Sequence, residues 1–236
     1  MRVRIRSATA VAAVTMTIAC SVALIPVLNF ASCYLYAPGG ACLVSERSRL
    51  LCSLLKAGDA RLLVAYARRL RRYLSGRPPL AEFLDPRDVL VPVPGSEAVK
   101  LGSAPVANLL AEAFVREGLA RARWDCLRRV RAVRRSTTAA PGERPTAQQH
   151  YDTLFVEFTE PPRLDECARL TLVDDVVTRG RTLLAAATRL HEAYPRRSIQ
   201  AFALVRTLGF VPRIERLFDP CIGEICWRRG DARRNP

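Results

Sequence analysis

The sequence predicts an α/β fold with a central, mostly parallel sheet flanked by helices, and three observations carry that prediction. The run Leu170-Thr171-Leu172-Val173 is a strand apolar enough for burial on both faces, and it ends in the paired carboxylates Asp174 and Asp175. Polar residues that end a buried strand emerge at the edge of the sheet, where open α/β sheets bind ligands. Downstream, Leu183, Ala187, Leu190 and Tyr194 line one side of a helix, Pro195 stops it, and Ile199 to Val205 makes a second buried strand. Strand, helix and strand in that order form a crossover between parallel strands. Finally, 236 residues, half of them hydrophobic, suffice for a substantial core and exclude wholesale disorder.

The formal net charge is +15, carried almost entirely by arginine, since Lys56 and Lys100 are the only lysines. Such a surface attracts phosphates, and it leaves nucleic acid open as a partner. The eight cysteines are irregularly spaced and include no C-x-x-C pair. Neither a zinc site nor a disulfide framework is indicated.

Residues 1–45 read as an uncharged hydrophobic extension. From Ser7 to Ser45 there is no charged residue, and Arg2, Arg4 and Arg6 precede the stretch. Ala8 to Phe30 is long enough to span a bilayer, although Pro26 and several threonines weaken it. Three readings stay open: a membrane anchor, a secretory signal, and a start codon assigned too far upstream. Arginines from Arg47 through Arg72 oppose translocation of the downstream chain by the positive-inside rule. The expected location is therefore cytoplasmic, with or without a membrane tether at residues 8–30.

Residues 46–80 read as a helical lead-in. Leu50, Leu51, Leu54 and Leu55 form one apolar patch, and Leu62, Leu63, Tyr66, Leu70 and Tyr73 another. Gly58-Asp59 is the turn between them, and Arg77-Pro78-Pro79 closes the region. The main domain is expected over residues 81–236. It opens with Val89-Leu90-Val91-Pro92-Val93-Pro94, a strand whose alternating prolines stiffen its exit into Gly95-Ser96-Glu97. A helix with an apolar face at Val106, Leu109, Leu110, Ala113 and Phe114 comes next.

From Arg121 to Arg144 eight arginines face only Asp125 and Glu143. A solvated basic loop and an anion-binding flap both fit. Of the two histidines, His191 reads as structural, whereas His150, just past the basic stretch, is a weak candidate for acid–base chemistry.

The most informative stretch is Leu170-Thr171-Leu172-Val173-Asp174-Asp175-Val176-Val177-Thr178-Arg179-Gly180-Arg181-Thr182. After the acids, Thr178 to Thr182 offers backbone N–H groups and two hydroxyls at a helix start, which suits a phosphate. Two acids beside a phosphate cradle repel that anion unless a metal or a sugar diol lies between. The order of parts describes a phosphorylated ribose with Mg²⁺.

This stretch resembles the 5-phosphoribosyl-1-diphosphate (PRPP) signature of type I phosphoribosyltransferases: an apolar strand, two acids, two apolar residues, then Thr-x-Gly-x-Thr. The resemblance implies that family's Rossmann-like fold. It assigns Asp174 and Asp175 to the ribose hydroxyls, with Mg²⁺ held indirectly through those hydroxyls or water. The loop of Val176, Val177, Thr178, Arg179, Gly180, Arg181 and Thr182 would take the 5′-phosphate. Leu54 to Asp59 and the Val-Pro-Val-Pro element are similar to segments of ComF-type members, although the cysteine-rich zinc finger that usually precedes those is lacking here. By that resemblance Gly95, Ser96 and Lys100 meet the pyrophosphate, as do Arg134, Arg135 and Ser136 of a closing flap. Thr178 stands where purine-salvage members usually carry an aspartate, which argues against hypoxanthine or guanine as acceptor. The implied activity is phosphoribosyl transfer from PRPP to a small-molecule acceptor, with release of pyrophosphate. A non-catalytic PRPP-binding regulator, or a DNA-uptake accessory protein of the ComF type, is the alternative. A homodimer stays open.

Overall fold

The computed structural model describes residues 23–96, 105–133, 144–209 and 211–236. Its central element is a seven-stranded mixed sheet. In chain order the strands are β1 (Val27–Tyr36), β2 (Val89–Pro92), β3 (Ala122–Arg123), β6 (Leu170–Val177), β7 (Ile199–Thr207), β8 (Phe218–Arg228) and β9 (Asp231–Asn235). Across the sheet they lie in the order β3-β2-β6-β7-β1-β8-β9. The strands from β3 through β1 run parallel, and β8 and β9 add on antiparallel. A small antiparallel ribbon, β4 (Leu127–Arg129) with β5 (Leu154–Val156), stands apart from the sheet.

Helices cover both faces. On one side lie α1 (Leu43–Lys56), α2 (Ala60–Leu74), α3 (Pro79–Phe83) and α4 (Val106–Arg116), with Leu55, Leu63, Leu110 and Phe114 buried against Phe202 and Leu204. On the other lie α5 (Ala147–Thr153) and α6 (Arg181–Ala193), where Leu183, Leu184 and Leu190 pack on Leu28, Val91 and Leu172. The expected turn at Gly58-Asp59 is present. Gly58 takes φ +71° past the end of α1, and the Asp59 carboxylate accepts the Arg61 and Leu62 N–H groups that open α2.

The N-terminal reading needs correction. Val27–Tyr36, placed by hydropathy in an extension outside the domain, is β1, held between β7 and β8. Phe30, Ala31 and Cys33 are fully buried there. An uncharged apolar run suits a strand covered on both faces as well as it suits a bilayer, because hydropathy reports burial and not what does the burying. The boundaries expected at residues 45 and 80 fall inside α1 and α3. Residues 1–22 lie outside the described residues. No helix among the described residues is long and apolar enough to cross a membrane.

The two ends of the sheet differ in character. At the N-terminal end, buried Asp88 receives Arg169, Thr171 and Gln200, a polar knot that joins β2, β6 and β7. At the C-terminal end β2 stops at Pro92 and β6 runs on, which opens the space where the site forms.

Candidate functional site

The site begins with the overhang of β6. Val93 N–H donates to the Val173 carbonyl at 2.9 Å, the last bond between the β2 segment and β6. The next N–H on that side of β6, that of Asp175, turns to the Asp174 side chain instead (2.9 Å), and Val176 N–H donates to Asp175 Oδ1 (2.7 Å). The acids thus fall where the β2–β6 ladder runs out, while the pairing of β6 with β7 continues to Val177.

Burial and the neighbouring charge of Asp175 push the Asp174 carboxyl well above the usual carboxylate range, against a weaker pull from the Arg129 guanidinium. Asp174 lines a cleft at the start of α6. Asp175 is outside that lining, and its charge reaches Cys52 on α1.

The cleft, about 40 Å³, is lined by the whole run Val176–Leu183 together with Asp174, His150 and Arg144. Gly180 stands at the entry to α6 with φ +81°, and no side chain caps the helix. The first helical bond runs from Leu184 N–H to the Gly180 carbonyl (2.9 Å), so the N–H groups of Arg181, Thr182 and Leu183 have no partner within the helix. An uncapped helix start of this kind favours an anion. Glycine is required at position 180 twice over, because a Cβ there would also lie 2.5 Å from Ile225 of β8.

Behind the cleft runs a chain of contacts that the sequence does not disclose. Arg129 of β4 is 4% exposed, and its guanidinium donates to the Gly95 carbonyl (2.6 Å), the Pro94 carbonyl (3.4 Å) and Thr153 Oγ1 (2.6 Å). Burial lowers its pKa to about 10, and among the described residues it has no ion-pair partner. Its Nη2 also lies 3.5 Å from His150 Nδ1, while His150 Nε2 lies 3.4 Å from Thr182 Oγ1. Arginine cannot accept a hydrogen bond, so Nδ1 is the acceptor and the ring proton sits on Nε2. Thr182 Oγ1 then accepts from the imidazole, which leaves its own proton free to donate into the cleft.

His150, the acid–base candidate, lines the cleft as a buried imidazole facing the Thr182 hydroxyl. Burial, then the charges of Arg129 and Arg181, lower its pKa to about 4, so it is neutral and faces a hydroxyl.

Among the expected site residues, the structure brings Asp174 and Val176–Thr182 together in one cleft. Gly95 is linked to it through Arg129, and the Ser96 carbonyl accepts Val133 N–H at 2.8 Å. A Cβ at Gly95 would meet nothing within 4 Å, so no neighbour in the chain demands glycine there. The side chains of Arg179 and Arg181 are engaged by Asp231 of β9, and Arg181 also donates to the Arg144 and Pro145 carbonyls. These two residues offer the cleft their backbone more readily than their guanidinium groups. Arg206 reaches the same rim, in register with Val177, and pairs with Asp219. Lys100, Arg134, Arg135 and Ser136 lie outside the described residues.

No family model matches this chain, and no curated protein does so either.

Proposed function

We propose that this protein binds PRPP with Mg²⁺ and transfers its phosphoribosyl group to a small-molecule acceptor, releasing pyrophosphate. One observation carries the reading most directly: a single cleft is lined by both the uncapped start of α6 and Asp174, the neighbour of Asp175. That pairing suits a ligand with a phosphate at one end and hydroxyls at the other.

On this reading the N–H groups of Arg181, Thr182 and Leu183 and the Thr182 hydroxyl hold the 5′-phosphate. Asp174 and Asp175 accept from the ribose hydroxyls. Hard carboxylate oxygens also suit Mg²⁺, and a cation there offsets the burial and the Asp175 charge that raise the Asp174 pKa. When bound, Mg²⁺ supplies charge neutralisation for the departing pyrophosphate. At the sugar, the bond from C1 to pyrophosphate breaks with its electron pair leaving on oxygen, and the acceptor's lone pair forms the new bond. The protein contributes position and electrostatics and no nucleophile of its own. Arg129 fixes the Pro94 and Gly95 carbonyls beside the site without touching the reacting atoms. PRPP is a cytosolic metabolite, which favours a cytoplasmic location.

The test is calorimetric titration of the full chain with PRPP and Mg²⁺, beside the Asp174→Asn/Asp175→Asn double variant. The full chain is needed because β1 belongs to the sheet. Binding lost in the variant supports the pocket. Pyrophosphate release with any acceptor base then supports the enzyme, and binding without turnover supports a regulatory protein. A folded wild-type chain that does not bind PRPP refutes the proposal.

A further inference from the structure

Beyond the loop cleft, the C-terminal hairpin β8–β9 builds a second concavity. It measures about 370 Å³, within the range of small-molecule sites, and is lined by Thr178, Arg179, Ala232, Arg233 and Arg234. That lining contains three guanidinium groups, one hydroxyl and no carboxylate.

The nearest acids are already committed. Asp231 is shared by Arg179 and Arg181, and Asp219 by Arg206 and Arg216. Arg233 and Arg234 are in neither set, and with Glu224 of β8, diagonal to Arg233 across the hairpin, the surroundings hold six guanidinium groups against three carboxylates. Arg234 is fixed in place by donating to the carbonyls that end β6 and β7, those of Val177 (3.4 Å) and Thr207 (2.6 Å). Its Nε and the hydroxyl of neighbouring Thr207 are buried polar atoms with no hydrogen-bond partner. Burial and the like charge of Arg206 lower the Arg234 pKa to about 10, the mark of a cation lacking its counter-charge. A concavity whose lining offers guanidinium groups and a hydroxyl but no carboxylate suits an anion.

We infer that the cleft between Thr178-Arg179 and β9 is an anion site for a small molecule carrying a phosphate or carboxylate group. It adjoins the loop cleft and shares Thr178 and Arg179 with it, while Arg233 and Arg234 belong to it alone. Arg233, exposed and free of ion pairs among the described residues, is the adjustable contact; Arg234 is the fixed one.

The experiment is calorimetric titration of the full chain at low ionic strength with inorganic pyrophosphate and, separately, with malonate. Arg233→Glu reverses an exposed charge outside the core, and circular dichroism confirms its fold. Thr182→Ala serves as the control for the loop cleft. Binding of either probe that Arg233→Glu weakens about tenfold or more, and that persists in Thr182→Ala, is the expected result. The probe that binds more tightly identifies phosphate or carboxylate as the preferred group. Absence of binding by both probes at millimolar concentration overturns the inference. So does binding that Arg233→Glu leaves unchanged, or that Thr182→Ala alone abolishes.

Discussion

Asp231 grips Arg181 at two points, Nε to Oδ1 and Nη2 to Oδ2, each at 2.6 Å. This fork ties the first residue of β9 to the first turn of α6, fifty positions away in the chain. It explains why a hairpin at the edge of the sheet belongs to the site. The pair is only partly exposed, with Arg179 as a third member at 3.0 Å. The Asp231→Asn variant is expected to lose about 2–3 kcal/mol, since it leaves the largely buried Arg181 guanidinium without its counter-charge. Denaturant unfolding of variant and wild type checks this, and an unchanged midpoint refutes it.

Gly180→Ala imposes two penalties together. The backbone at φ +81° disfavours an L side chain, and the new Cβ meets Ile225 at 2.5 Å. The expected loss is about 2–4 kcal/mol, and a compensating Ile225→Ala change recovers only the steric part. Thermal unfolding of the single and double variants separates the two. Equal stability of Gly180→Ala and wild type rules out a left-handed turn at this position.

The buried imidazole makes stability depend on pH. His150 titrates near 4 in the folded chain and near 6.5 when unfolded, so between those values the unfolded state binds the extra proton. Stability therefore falls as pH drops from about 6.5 towards 4, by on the order of 3 kcal/mol over the window. His150→Gln is expected to flatten that part of the profile. Urea midpoints between pH 7 and pH 4.5, about the accessible range, decide it. A variant curve parallel to wild type excludes His150 as the cause.

For Asp174 the sign is opposite. Its folded pKa is raised, so the contribution it makes is present below the unfolded carboxylate pKa and is lost as pH rises through the folded value. As pH rises through that value, ionising the buried Asp174 carboxyl destabilises the native state. Asp174→Asn should raise Tm by a few degrees, about 2–4 °C per kcal/mol for a chain of this size, while abolishing PRPP binding. A variant with unchanged Tm and intact binding contradicts both the electrostatic and the functional reading.

Much of the fold was legible because its signals are one-dimensional. A strand such as Leu170–Val177 announces itself by burial and by where its polar residues begin. The helix of Arg181–Ala193 announces itself by the spacing of Leu183, Ala187 and Leu190. The same reading failed at β1, where an uncharged and mostly apolar run suits sheet and membrane alike. It yields no strands at β8 and β9, whose half-exposed residues and interleaved arginines lack a clear period.

The central crossover, the carboxylate pair Asp174-Asp175 and the loop that opens α6 are legible along the chain, since neighbours in the chain create these features. Tertiary structure decided which other residues belong with them. Nothing local separates Arg129 from the other arginines of its run. It becomes a buried cation only because the β4–β5 ribbon packs it beneath Gly95 and His150, 34 positions before it and 21 after. Likewise, Asp231 and Arg234 acquire their roles from a hairpin that folds back onto the ends of β6 and β7. A charge's partner and solvation are set in three dimensions, and those decide whether an arginine is surface, strut or ligand contact.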